Sequence, residues 1–98
     1  MKKFAFIIMG SHYQPEIHHA EFATKQSVTY IFTVRNFEEA KQRTLSCKED
    51  GVGVIELCGA FGEEMARELI RLTEDTMGIG FSIHLSEQNQ LFDEFFKS

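Results

Sequence analysis

Three short apolar runs, each closed by a turn or a helix-capping residue, most constrain what this chain folds into. They are Phe4–Met9, Ser27–Val34 and Val52–Leu57. Each is too short for a helix, and Phe4–Met9 carries its apolar residues consecutively, which is the pattern of a strand buried on both faces of a parallel sheet. Ser27–Val34 (SVTYIFTV) is also dense in β-branched and aromatic residues, which suit a pleated strand. A fourth run, Ile79–Leu85, follows the glycine-bearing turn Met77–Gly80.

Helical patterns fill the intervals. Asn36 followed by Glu39 forms a capping box, and Phe37, Ala40, Thr44 and Leu45 recur at helical spacing until Asp50–Gly51 stops the helix. Over Glu63–Glu74, Met65, Leu69 and Leu72 line one stripe, with Ala66, Ile70 and Thr73 beside it. Glu63 and Glu64 occupy the first turn, where the helix dipole favours negative charge. Ser86 is placed to cap a last helix, Glu87–Phe96. The segment Gly10–Gln26 is the least regular; its Pro15 suits the first turn of a short helix running to about Phe22.

The resulting order is β-(α)-β-α-β-α-β-α. It predicts one α/β domain over residues 1–98, a four-stranded, mainly parallel sheet with helices on both faces joined by right-handed crossovers. A chain of 98 residues has no room for a second core. Four short strands leave two sheet edges to hide, and the phenylalanine-rich C-terminal helix is more apolar than a lone surface helix requires. A homodimer or higher homo-oligomer is therefore expected.

The net charge of −5 and the absence of a basic stripe longer than Lys2–Lys3 argue against nucleic acid as a partner. The opening MKKFAFIIMG imitates a secretion signal, but its apolar run falls short of the roughly 7–15 residues of such a core and no small-residue cleavage site follows. No stretch approaches the roughly 20 apolar residues of a membrane helix. A cytoplasmic protein that makes no use of a membrane is expected. There the two cysteines, Cys47 and Cys58, would be free thiols.

In a parallel sheet the strand C-termini share one side, and functional loops follow them. Those ends supply Gly10, Ser11 and His12 after the first strand, and Arg35 after the second. Glu56, Cys58 and Gly59-Ala60-Phe61-Gly62 come after the third, with His84 after the fourth. The glycine-framed turn can present backbone N–H groups to a phosphate or carboxylate, or be a plain tight turn.

Glu56 in an otherwise apolar strand is costly unless paired or placed at a mouth, so it is a candidate acid/base or ligand anchor. The structural alternative has it capping loop amides or pairing with Arg35. Cys58 lies on the same strand face and is a candidate nucleophile, against the alternative of a space-filling thiol. His12 and His84 are candidate general bases. Arg35 can fork onto an anionic substrate or pair with Glu38 or Glu39. No tight metal-ligand spacing such as HxH or HExxH occurs, so no metal site is expected, and no residue pattern names a cofactor.

The opening KFAFIIMG, the middle FEEA and the segment Ile55-Glu56-Leu57-Cys58-Gly59-Ala60-Phe61-Gly62 resemble a family of small, uncharacterised bacterial α/β proteins with an IELCGGFG-type segment. Ala60 departs from that pattern, where a glycine is expected, and restricts the turn. The resemblance implies an α/β domain without a known activity and points to Glu56, Cys58 and Gly59. The functional expectation is a small anionic or carbonyl-bearing metabolite bound at the strand ends, with lyase- or isomerase-type chemistry within reach. The alternative is a non-catalytic protein acting through self-association.

Overall fold

The computed structural model describes residues 1–97, so Ser98 of the expected domain lies outside the described residues. Strands β1 (Lys2–Met9), β2 (Ala20–Ala23), β3 (Ser27–Val34), β4 (Val54–Leu57) and β5 (Gly78–Phe81) form one sheet in the order β2-β3-β1-β4-β5. β3, β1, β4 and β5 are parallel, and β2 pairs antiparallel with β3 at one edge. Helices α1 (Phe37–Glu49), α2 (Gly62–Leu72) and α3 (Asn89–Phe96) complete the chain, with a 3-10 turn at Ser86–Gln88 before α3.

The sheet is thus mixed and five-stranded, where four strands are expected. The helix expected from Pro15 to Phe22 is instead a pair of turns leading into β2. Ile17 and His18 amides donate to the Gln14 carbonyl, and the chain then pairs Ala20–Ala23 with Val28–Ile31. β5 is shorter than the expected Ile79–Leu85. Ser86 lies inside the 3-10 turn and caps nothing.

α1 forms as its cap residues dictate. The Asn36 side chain accepts the Glu39 amide at 2.9 Å, and Gly51 leaves the helix at φ +85°. At this C-terminal end Lys3 Nζ donates to the Asp50 carbonyl at 2.8 Å and pairs with its carboxylate at 3.2 Å. The Tyr30 hydroxyl donates to the same carboxylate at 3.1 Å. These bonds, Lys3's foremost, hold the Asp50 carboxyl below the ordinary range and pin the end of α1 to β1 and β3.

Both crossovers, β3-α1-β4 and β4-α2-β5, step across the sheet in the same direction. Right-handed crossovers then place α1 and α2 on the same face, and the two helices touch. The expectation of helices on both faces fails for this reason: the connection from β1 to β3 passes through β2 and contains no helix.

Side-chain parity shows the consequence. Ala5, Ile7, Val34, Ile55 and Leu57 point to the helix face and are buried. Tyr30, Phe32, Ile79 and Phe81 pack beside them, with Ala40, Cys47, Ala66 and Leu69 from the helices. Each fully buried Ile or Leu here contributes about 1.5–3 kcal/mol. The opposite face carries Phe4, Phe6 and Ile8 of β1, Ile31 of β3, Val54 and Glu56 of β4 and Phe22 of β2. None of these belongs to the core, and Val54 and Phe22 are exposed. The strands expected to be buried on both faces are covered on one.

Candidate functional site

Within β4, Ile55 and Leu57 descend into the core, so the two-residue period lifts Glu56 onto the open face. Its neighbours in register are Phe6 on β1 and Gly80 on β5. Gly80 has no side chain, and the carboxylate occupies that space. A Cβ at Gly80 would stand 2.8 Å from Glu56 Oε1 and 3.1 Å from Oε2. Gly78 makes the same room for Val54, whose Cγ2 lies 3.1 Å from where a Cβ would be. Among the described residues the Glu56 carboxylate accepts no hydrogen bond and forms no ion pair. Its pairing with Arg35 does not occur.

Cys58 follows as β4 ends. Its amide donates to the Ile7 carbonyl at 3.0 Å, and its Sγ accepts the Met9 amide at 3.3 Å. The thiol therefore joins the ends of β4 and β1. The turn beyond it is anchored by Phe61, which is buried and whose amide donates to the Cys58 carbonyl. Gly62 opens α2 at φ +70°, and no side chain caps that helix start. The amides of Gly59 and Ala60 donate no hydrogen bond among the described residues. Gly59 abuts the Ser82 carbonyl, 3.6 Å from where its Cβ would stand, so the turn is flanked by the chain leaving β5.

The other candidates disperse. The Gly10 amide donates to the Val34 carbonyl, and the rings of His12 and Tyr13 fold back over Gly10, tilted against each other with centroids 4.2 Å apart. Ser11 is exposed in the turn between them. Arg35 is held by Glu39: its Nε and Nη2 donate to Oε2 at 2.9 and 2.6 Å, and its amide donates to Oε1 at 2.8 Å. The bonds with Arg35 lower the Glu39 carboxyl and raise the Arg35 guanidinium. His84 lies beyond β5 in the C-terminal segment. There it stacks on Phe92 at 3.8 Å and its Nε2 bonds Asn89 Oδ1 at 2.7 Å.

The structure thus brings Glu56, Cys58 and the Gly59–Gly62 turn to one end of β4, with Gly10 just beyond the neighbouring end of β1. It leaves His12, Arg35 and His84 on separate local partners. Among the described residues no group of three or more His, Cys, Asp or Glu is disposed to hold a metal ion. Among the described residues, one shallow groove of about 280 Å³ is lined by Arg35, Glu39, Arg43 and Thr33, and another of about 340 Å³ by Phe37, Met65, Arg67 and Glu68. Neither contains Glu56. Gly80, which makes room for the Glu56 carboxylate, and Phe6, its partner in register, escape a reading of motifs. The signal for Gly80 is the alternation Gly78-Ile79-Gly80-Phe81, which strips side chains from one face of a single strand.

A mixed sheet with both crossover helices on one face and a free carboxylate on the other defines a small α/β domain of the open-faced kind. The chain belongs to the family of unknown function DUF6506, whose model matches residues 2–97. No curated protein and no solved structure matches it. No described helix is long and apolar enough to cross a membrane.

Proposed function

We propose that this domain binds a small molecule on its open sheet face, with Glu56 as the group that holds it. The observation that carries this reading is the Glu56 carboxylate itself: unpaired, set among Phe6 and Val54, and given room by Gly80. A carboxylate only accepts hydrogen bonds, so the ligand presents an N–H, O–H or cationic group to it. The free amides of Gly59 and Ala60, beside the uncapped start of α2, suit a carbonyl or anionic oxygen on the same molecule. Glu56 is then the anchor and the natural proton acceptor for lyase- or isomerase-type chemistry. Cys58, already accepting the Met9 amide, keeps the two strand ends together.

The test is a melting-shift screen of small amino, hydroxy and oxo acids against the wild-type protein and Glu56→Gln. A ligand that raises the melting temperature of the first and not the second supports the reading. Equal shifts in both remove Glu56 from it.

A second reading, action through self-association without catalysis, is favoured by a separate observation. Ile83, Leu85, Leu91, Phe95 and Phe96 are all exposed in the C-terminal segment.

A further inference from the structure

The residues after β5 form an arm that leaves the body of the domain. Among the described residues, α3 packs chiefly against the 3-10 turn that precedes it and buries none of its side chains. Phe95 and Phe96 are 79% and 73% exposed. Yet the arm is internally ordered: His84 stacks on Phe92, and Phe95 meets Phe96 edge to face at 5.0 Å.

The domain also carries an apolar sheet face that none of its own helices covers. Two unpartnered apolar surfaces on one chain carry a quantitative signature. The accessible surface is 6913 Å², where a folded monomer of 11.3 kDa exposes roughly 5,700 Å². The radius of gyration is 14.0 Å, against about 12.6 Å for a compact chain of this length. The excess of roughly 1,200 Å² exceeds the ~800 Å² that each partner contributes to a standard interface.

We propose that the occupant of the open face is the C-terminal arm of a second copy of this chain, exchanged reciprocally in a two-fold dimer. Exchange pairs the two uncovered surfaces with each other and closes under two-fold symmetry, so no open-ended assembly results. The arm's internal stacking lowers the ordering cost of docking. In the dimer each arm roofs the partner's sheet face, and the site at Glu56, open on a single chain, is completed by the neighbouring copy. The proposal rests on the association reading above and names its partner and contact.

The experiment is sedimentation equilibrium on the full chain, with the double variant Phe95→Asp/Phe96→Asp altering the arm and Phe22→Lys altering the face. All three positions are exposed on the single chain, and circular dichroism checks that each variant is folded. Phe96→Asp alone is a second, milder arm variant. The wild type is expected at twice the 11.3 kDa chain mass, with dimer affinity weakened roughly a hundredfold or more in the double variant and in Phe22→Lys. An equimolar mixture of the two weakened variants should recover dimer, because one arm and one face in the pair remain intact. A monomeric wild type at high micromolar concentration overturns both association and exchange. A dimer unaffected by the arm or the face variant, or a mixture that recovers nothing, overturns exchange while leaving association standing.

Discussion

The Glu56 carboxylate lies over the Cα of Gly80, in the space where any other residue's Cβ would sit 2.8 Å from Oε1. An acceptor-only group on an apolar strand is held out over its neighbour by the absence of a side chain. Gly80→Ala should fold, because the crowded atoms are the end of a flexible side chain, but should turn the carboxylate away. We expect Glu56→Gln and Gly80→Ala to lose the same ligand-induced melting shift, each with stability within about 1 kcal/mol of wild type. Calorimetry of both variants checks this, and retention of binding in Gly80→Ala would separate Glu56's position from its role.

The Thr44 side chain is fully buried in α1, and its hydroxyl has no partner among the described residues. Such a group pays for desolvation without a compensating bond. Thr44→Val keeps the shape and should stabilise the protein by about 1 kcal/mol in urea unfolding. A destabilised variant would show that the hydroxyl is bonded in solution.

α2 leaves through Glu74 and Asp75, both at φ +56°, a conformation that side chains disfavour. Asp75→Gly relieves that strain at an exposed turn, and a gain of about 0.5–1 kcal/mol is expected from the same unfolding measurement. An unchanged midpoint would mean that neighbouring contacts already compensate.

Burial pushes the Cys47 thiol up from its ordinary 9.0 to about 11, with Arg43 acting in the opposite sense. The folded state therefore keeps this proton in a range where the unfolded chain releases it. Its contribution to stability is complete below about pH 9 and is lost as pH rises through about 11, of the order of 2 kcal/mol across that window. Urea midpoints between pH 8 and 11 should fall over that window in the wild type and less steeply in Cys47→Ala. Aromatic-disulfide titration at pH 8 should find Cys47 protected until unfolding.

Much of this fold is legible in the residues because its signals are local. β1 follows from its consecutive apolar run, β3 from its β-branched and aromatic residues, and α1 from Asn36, Glu39 and Gly51. α2 follows from the stripe of Met65, Leu69 and Leu72, although the residues it buries are Ala66 and Leu69, with Thr73 just beyond its end. β2 is not legible: Ala20–Ala23 holds one large apolar residue, Phe22, and owes its pairing to the fixed register of β3. The open face is invisible for a different reason. Phe4, Phe6 and Ile8 look like residues covered on both sides, and nothing along the chain says that the second cover is absent from the same molecule. At the site, Glu56 and Cys58 stand out as polar groups at a strand end. Gly80 becomes part of the site through strand pairing alone, and the Arg35–Glu39 clamp withdraws an arginine that spacing cannot assign.

Whether the open face and the arm are covered together is read directly by hydroxyl-radical footprinting of the wild-type protein. Phe22 and Phe96, 58% and 73% exposed on the single chain, should both be labelled several-fold more slowly than that exposure implies, and should lose their protection together on dilution. Labelling of both residues at the rates of freely exposed phenylalanines, independent of concentration, would show that neither surface is covered.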